Sequence, residues 1–245
     1  MPRVVILLSL LLSLPAWALV PPYYGKRQAD YRWGAEAEVG LSLARGNTQV
    51  ETYNTRLKVD LDTSRTHHEA TFSSNFSRDK NSTSAERYKL ELQSDGKFWP
   101  NYYLFLRGSE LYDRFGSYLS ETVLSTGLGT TLINRDFTTL KFEMSPGYRL
   151  QIAPKGSPES DNREAIIRTV LKYERRIHER TRFNTGIQLE TGSRNTTGSL
   201  DASFTNQLWD DLALKLGFYY RYTSNVDPDK SRYDTLSTLN LLYTF

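Results

Sequence analysis

The C-terminal stretch 233–245 alternates between two sets of side chains. Every second residue counted back from the terminus gives a mainly apolar set with aromatic residues at both ends: Phe245, Tyr243, Leu241, Leu239, Ser237, Thr235 and Tyr233. The other set is mixed in character: Thr244, Leu242, Asn240, Thr238, Leu236 and Asp234. Because side chains alternate between the two faces of a strand, this pattern predicts a strand with one face in an apolar medium. Its rings fall where the polar boundaries of a membrane would lie.

Alternating segments of this kind recur along the chain from residue 33 onward. The predicted strands are 33–43, 50–61, 66–77, 85–98, 102–112, 120–133, 137–151, 163–177, 181–191, 199–209, 212–223 and 233–245. The segment 102–112 differs from the others because its flanks are apolar on both faces. Single-chain bacterial barrels have an even number of strands. The pattern therefore predicts an all-β fold, a single 12-stranded antiparallel transmembrane β-barrel.

The connections between the predicted strands differ in length according to their position. Those after even-numbered strands are short, at 62–65, 99–101, 134–136, 178–180 and 209–211. Those after odd-numbered strands include longer segments at 79–84, 152–162, 192–198 and 224–232, with compact turns at 45–48 and 113–117. Membrane barrels have short periplasmic turns and longer outer loops, so the loop lengths favour the same fold.

Aromatic residues collect at both ends of the predicted strands. The expected aromatic girdles contain Trp33, Trp99, Trp209 and Phe245 at the short-turn end, and Tyr148 and Tyr222 at the far end. A soluble β-sandwich could also carry Trp at strand ends, but it should bury its aromatic residues at the centre. The distribution therefore favours membrane boundaries.

The N-terminus reads as an export signal. Arg3 precedes an apolar run at 4–14, and Ala16-Trp17-Ala18 forms an A-x-A cleavage site. The predicted organisation is a signal peptide at 1–18, a short periplasmic leader at 19–32 and the barrel at 33–245. The alternative of a retained anchor requires a longer apolar run. A mean hydropathy of -0.54 excludes a bundle of membrane helices, and the absence of cysteine excludes disulfides and lipid attachment through an N-terminal Cys.

Charge is nearly balanced, with 31 Lys plus Arg against 28 Asp plus Glu, which gives no reason to expect a nucleic-acid partner. The residues expected to face the interior are Arg56, Lys58, Glu91, Arg107, Lys141, Glu143, Arg168, Lys172, Glu190, Lys215 and Arg221. A selective pore would favour rings of one sign, whereas mixed signs favour an ion-paired interior, either water-filled or largely plugged. Conduction and a purely structural role both stay open.

Four short motifs carry a family resemblance: Gly46-Asn47-Thr48, Ala85-Glu86-Arg87-Tyr88, Pro146-Gly147-Tyr148-Arg149 and Ser224-Asn225-Val226-Asp227-Pro228. Through their order and spacing, the segment 33–245 resembles the YdiY-like family of salt-induced outer-membrane proteins, a domain of unknown function. The resemblance implies an outer-membrane barrel and a link to salt or envelope stress. It supplies no catalytic residue.

An outer-membrane hydrolase acting on lipid or peptide is the alternative. Such an enzyme commonly needs a histidine as general base, and His67, His68 and His178 all fall at the periplasmic end. Neighbouring strand residues point to opposite faces, so His67 and His68 should not share a metal. The sequence therefore predicts no enzyme, no cofactor and no metal site. Expected partners are outer-membrane lipids, lipopolysaccharide and the barrel assembly machinery, which would engage the C-terminal strand of a protein exported to the Gram-negative outer membrane.

Overall fold

The computed structural model describes residues 32–44, 50–79, 82–156, 160–226 and 231–245. The predicted signal peptide and the motif Gly46-Asn47-Thr48 lie outside the described residues, as does all of the predicted leader except Arg32, the first residue of β1. Within the described segments, the chain contains no helix of the length and apolarity needed to span a membrane.

The described residues form twelve antiparallel strands: β1 (Arg32–Ala44), β2 (Val50–Asp62), β3 (Thr66–Asp79), β4 (Ser82–Trp99), β5 (Tyr102–Asp113), β6 (Ser120–Arg135), β7 (Thr138–Ile152), β8 (Asn162–His178), β9 (Thr181–Gly192), β10 (Thr196–Gln207), β11 (Leu212–Thr223) and β12 (Tyr233–Thr244). Each strand pairs with its neighbours in sequence, and β1 pairs with β12 to close the barrel. At this closure Val39 lies opposite Leu241 and Glu38 lies opposite Leu242. The predicted twelve-stranded closed barrel is confirmed.

The two faces of the barrel have opposite chemistry. Leu216 and Leu239, cross-strand partners on the outer face, are each 58% exposed. On the inner face Arg149 is 0% exposed and Glu143 is 2% exposed. Apolar side chains thus point away from the barrel and charged side chains point into it. This is the reverse of a soluble protein and the arrangement of a transmembrane barrel.

Two of the long loops expected from the sequence are wrong. Strand β3 continues to Asp79 and β4 begins at Ser82, so only 80–81 connect them in place of the predicted 79–84. Similarly, 193–195 replace the predicted 192–198, because β10 begins at Thr196. The Ser, Thr and Gly residues at these positions suggested turns, but they pair within the ladder, where Thr and Ser are acceptable strand residues. The long connections at 153–161 and 224–232 agree with the prediction.

The inner face of β5 explains why this segment is apolar on both sides. Tyr103 and Phe105 point inward and are buried, with 7% and 2% exposure. The Tyr103 ring lies over Gly129 of β6, where a Cβ atom would overlap the ring carbon Cζ. Glycine therefore fits best at this position, because a side chain here would displace the tyrosine ring. The packed pair fills one side of the interior.

Candidate functional site: the ion-paired interior

All eleven residues expected to face the interior lie on the inner face of the ladders, at alternate positions on their strands: Arg56, Lys58, Glu91, Arg107, Lys141, Glu143, Arg168, Lys172, Glu190, Lys215 and Arg221. Their grouping into clusters depends on the register of the strands, which brings together residues distant in sequence.

The first cluster surrounds Glu143 of β7. Arg168 Nη1 lies 3.2 Å from Glu143 Oε2, and Lys172 Nζ lies 3.1 Å from Glu143 Oε1. The Tyr103 hydroxyl donates to Oε1 at 3.0 Å, and Gln93 Nε2 donates to the same oxygen at 3.2 Å. A buried carboxylate is stable when it is paired with cations and hydrogen-bonded, and this one has both. The cluster ties together β4, β5, β7 and β8.

The second cluster surrounds Arg149, also on β7. Its guanidinium donates to Glu164 Oε1 from Nη2 at 2.6 Å and from Nε at 3.2 Å. It also donates to the backbone oxygen of Asn195 and, at 3.3 Å, to Thr197 Oγ1. Glu190 Oε2 lies 3.8 Å from Arg149 Nη1. With 0% exposure, this arginine has its donors directed to partners on β8, β9, β10 and the 193–195 connection.

Two further ion pairs cross the interior near its outer-loop end. Arg221 Nη2 of β11 lies 3.3 Å from Glu121 Oε1 of β6, and these strands are five positions apart in a ring of twelve. Arg87 of β4 reaches Asp234 of β12 at 3.3 Å and Asp113 of β5 at 2.5 Å. Side chains from nearly opposite walls therefore meet in the bore and restrict it.

The remaining residues predicted to face the interior include both paired and unpaired charges. Lys58 pairs with Glu69 at 3.1 Å, and Lys215 pairs with Glu38 at 2.5 Å. Arg107 donates to Glu91, which also accepts from Lys89 at 3.0 Å. Among the described residues, Arg56 and Lys141 have no carboxylate within 4.0 Å, so these two cations are free to meet ions or solutes.

A small cavity lies among these groups in the outer half of the interior. Its volume is about 40 Å³, and its lining includes Lys89, Arg107, Glu190 and Arg221. This is room for a few water molecules, whereas small-molecule sites typically occupy about 300–1,000 Å³. The cavity fits hydration of the charged network better than it fits a substrate.

The predicted girdle residues lie at the two ends of the outer surface. Trp33, Trp99 and Trp209 are each 68% exposed and Phe245 is 67% exposed, all at the end with the short turns. At the other end, Tyr148 is 54% exposed on β7. Tyr222 is half-buried against Tyr233, with ring centroids 5.6 Å apart.

The histidines provide limited catalytic chemistry. His68 faces outward, and its Nδ1 lies 2.9 Å from Ser94 Oγ on β4. His67 faces inward, with Nδ1 3.5 Å from Asp62 Oδ1. The Ser94–His68 contact joins a nucleophile to a base, but no carboxylate of the described residues lies within 4.0 Å of His68 to orient its ring. In the described segments, His, Cys, Asp and Glu form no group of three that could hold a metal ion.

The interior residues singled out from the sequence were all charged, so the neutral members of the two clusters were not among them: Gln93, Tyr103, Asn195 and Thr197. Gln93 could have been found, because it follows Glu91 at the spacing that keeps a strand residue on the same face. Tyr103 was obscured by the apolar residues on both faces of β5. Asn195 lies in a connection, where no periodicity indicates which way it points.

The chain is similar to a known protein family, to a bacterial protein and to several solved structures. The family model described as "Protein of unknown function, DUF481" matches residues 37–245. The Uncharacterized protein YdiY of Escherichia coli (strain K12) is 25% identical over 164 residues, a match that covers 66% of this chain and 63% of YdiY, less than two thirds of that protein. Among solved structures, an outer membrane channel from Pseudomonas putida F1 has a TM-score of 0.49 at 11% identity, covering 92% of this chain and 100% of that one. The NanC porin has a TM-score of 0.48 at 12% identity, covering 87% and 98%.

Proposed function

This chain belongs to the family described as "Protein of unknown function, DUF481", and we propose that it is a non-enzymatic barrel of the Gram-negative outer membrane, a narrow diffusion channel for water, ions and small polar solutes. The location is supported by the apolar outer face and by tryptophans that remain 68% exposed at one end of it. Such residues are stable where lipid replaces water around the barrel.

The channel proposal rests on the ion pair between Arg221 and Glu121, whose side chains meet across the barrel interior at 3.3 Å. An interior lined by both signs and crossed by ion pairs is polar enough to hold water, but too obstructed to pass large solutes. Because both signs of charge line the interior, the channel should also discriminate weakly between small cations and anions. A barrel that conducts nothing would instead have a structural role.

Conductance in planar lipid bilayers tests the proposal. The natural protein should give small, reproducible steps, and Glu121→Gln combined with Arg221→Gln should enlarge them because the pair no longer spans the bore. Arg114→Gln is the matched control, since Arg114 pairs with Glu86 at 2.9 Å on the rim and is 58% exposed. Absence of steps from both the natural protein and the double variant would remove the channel proposal and leave the structural one.

The Ser94–His68 contact keeps an outer-membrane hydrolase as the second candidate. We expect the purified barrel to show no esterase or phospholipase activity above that of detergent alone. Hydrolysis that disappears in Ser94→Ala, while the variant still folds as a heat-modifiable barrel, would show that the protein is an enzyme.

Two associations of the barrel are also proposed. The Phe245 ring is 67% exposed and its N–H donates to the Ala35 carbonyl at 2.9 Å, so the last residue is held beside the closing strand pair, where the assembly machinery could engage it. Lipopolysaccharide would meet the outer girdle around Tyr148. The resemblance to salt-induced proteins suggests a growth test: a strain lacking the protein should grow more slowly in high salt.

A further inference from the structure

A cleft at the periplasmic end of the barrel lies apart from the interior. It occupies about 760 Å³ between the β6–β7 turn and the end of β8. Its lining includes Arg135, Asp136, Phe137, Arg175, Arg176 and Glu179. The volume falls in the range of small-molecule sites, about 300–1,000 Å³.

Two irregularities in the ladders shape this cleft. The β6–β7 register shifts between Thr131 and Ile133, and the β8–β9 register shifts between Arg176 and His178. A bulge bends its strand and re-aims the side chains beside it. The strands still pair beyond both shifts, so each shift changes the direction of the side chains beside it at the end of the barrel where the cleft lies.

Arg176 holds the wall of the cleft in place. Its backbone N–H donates to the Phe137 carbonyl at 2.9 Å, and its Nη2 donates to the Asp136 carbonyl at 2.9 Å. Its guanidinium carbon lies 5.1 Å from the centroid of the Phe137 ring, within the range of a cation–π contact. These contacts fix the turn and leave the neighbouring charged groups at its surface.

The charges beside Arg176 are unpaired. Among the described residues, the guanidinium groups of Arg135 and Arg175 have no carboxylate within 4.0 Å, and the carboxylates of Asp136 and Glu179 have no cation within that distance. The cleft thus presents both signs of charge to a ligand. Beside them Phe137 is 61% exposed and provides an apolar surface.

We propose that this cleft binds the phosphoethanolamine headgroup of a phospholipid in the periplasmic leaflet. Arg135 and Arg175 would hold the phosphate, since planar guanidinium groups donate parallel hydrogen bonds to phosphate oxygens. Asp136 and Glu179 would accept hydrogen bonds from the ammonium group. Phe137 lies where an acyl chain would leave the headgroup for the membrane.

The presence of both signs selects this headgroup over two related ones. A phosphatidylglycerol headgroup has the phosphate but lacks a cation for the carboxylates, and its negative charge would face them. A phosphatidylcholine headgroup has a cation, but its methylated nitrogen has no N–H to donate. Phosphatidylethanolamine satisfies both halves of the cleft.

Native mass spectrometry of the purified barrel tests the proposal, with the three phospholipids carrying identical acyl chains. The natural protein should retain phosphatidylethanolamine in preference to the other two. Arg175→Gln should reduce its retention about tenfold or more, the effect expected from losing a hydrogen bond to a charged group. Glu179→Gln should reduce the preference for phosphatidylethanolamine over phosphatidylcholine, and it should increase retention of phosphatidylglycerol.

Arg163→Gln is the control, because Arg163 is an exposed arginine on the same strand at the opposite end of the barrel. Equal retention of the three lipids, or equal losses in Arg175→Gln and Arg163→Gln, would overturn the proposal. Retention of phosphatidylglycerol above the others, unchanged by Glu179→Gln, would also overturn it. Bilayer conductance is measured separately, so failure of the lipid site is distinguishable from failure of the channel.

Discussion

Replacing Leu239 with arginine tests whether the outer face lies in lipid. Leu239 is near the middle of β12, is 58% exposed and lies opposite Leu216 in the neighbouring strand. In water, an exposed leucine tolerates arginine with an effect within about 0.5 kcal/mol. In hydrocarbon, the same change places a charge where nothing can solvate it.

The expected free-energy cost of the arginine depends on its depth in the bilayer. An arginine at the bilayer midplane of a barrel costs about 2–4 kcal/mol, and one near the interface costs about 0–1 kcal/mol. Thr235 is an outward residue on the same strand, nearer its outer end. At about 3.3 Å per residue it lies ~13 Å along the strand from Leu239, or roughly 10 Å in depth at a tilt near 40°. Thr235→Arg is therefore the matched control.

The difference in stability between the two variants is measured by urea unfolding in lipid vesicles. Loss of the heat-modifiable band reports the fraction unfolded. Leu239→Arg should shift the folding equilibrium by about 30- to 700-fold, which is the expected free energy converted at ~1.4 kcal/mol per factor of ten. Leu216→Arg, on the partner strand, should behave like Leu239→Arg. Equal unfolding midpoints for Leu239→Arg and Thr235→Arg would refute the assignment of this face to lipid.

Three other changes test the interior and the chain end. Glu143→Gln should destabilise the barrel by about 3–5 kcal/mol, since it leaves two cations without their buried counter-charge, and urea unfolding measures this. Gly129→Ala should cost about 1–3 kcal/mol because the Tyr103 ring must move, whereas Gly198→Ala, whose Cβ would have its nearest neighbour at 3.9 Å, should be nearly neutral in the same measurement. Removing Phe245 should lower the amount of heat-modifiable barrel in outer-membrane fractions without preventing refolding of the purified chain.

The period-two pattern was sufficient to predict the strands because a membrane barrel has chemically opposite faces. On β11 the outward residues Leu214, Leu216 and Phe218 alternate with inward residues such as Lys215. The structure places the two faces of this strand as the pattern indicates. A strand shifted by one residue would put charge into lipid, so this sequence specifies the faces strictly.

The register across the interior could not be predicted in the same way. Periodicity shows that Arg221 and Glu121 point inward, but which inward residues meet depends on the stagger accumulated around the barrel. The bulges beside Ile133 and His178 are equally hidden, since an extra residue in a strand leaves only a local break in alternation. The interior partners and the periplasmic cleft therefore appear only in the structure.

The interior is packed unevenly, and in the proposed channel this would decide where water can pass. On the wall formed by β7 and β8, Glu143 is paired with Arg168 and Arg149 is paired with Glu164. All four residues are buried, so opening this side would require breaking buried ion pairs. On other parts of the inner face, Arg56 of β2 and Asp201 of β10 remain exposed although they point inward. A charged side chain keeps its hydration when no partner replaces the water. The channel proposed above would therefore run along Arg56 and Asp201, and the buried wall holds the barrel shape beside it.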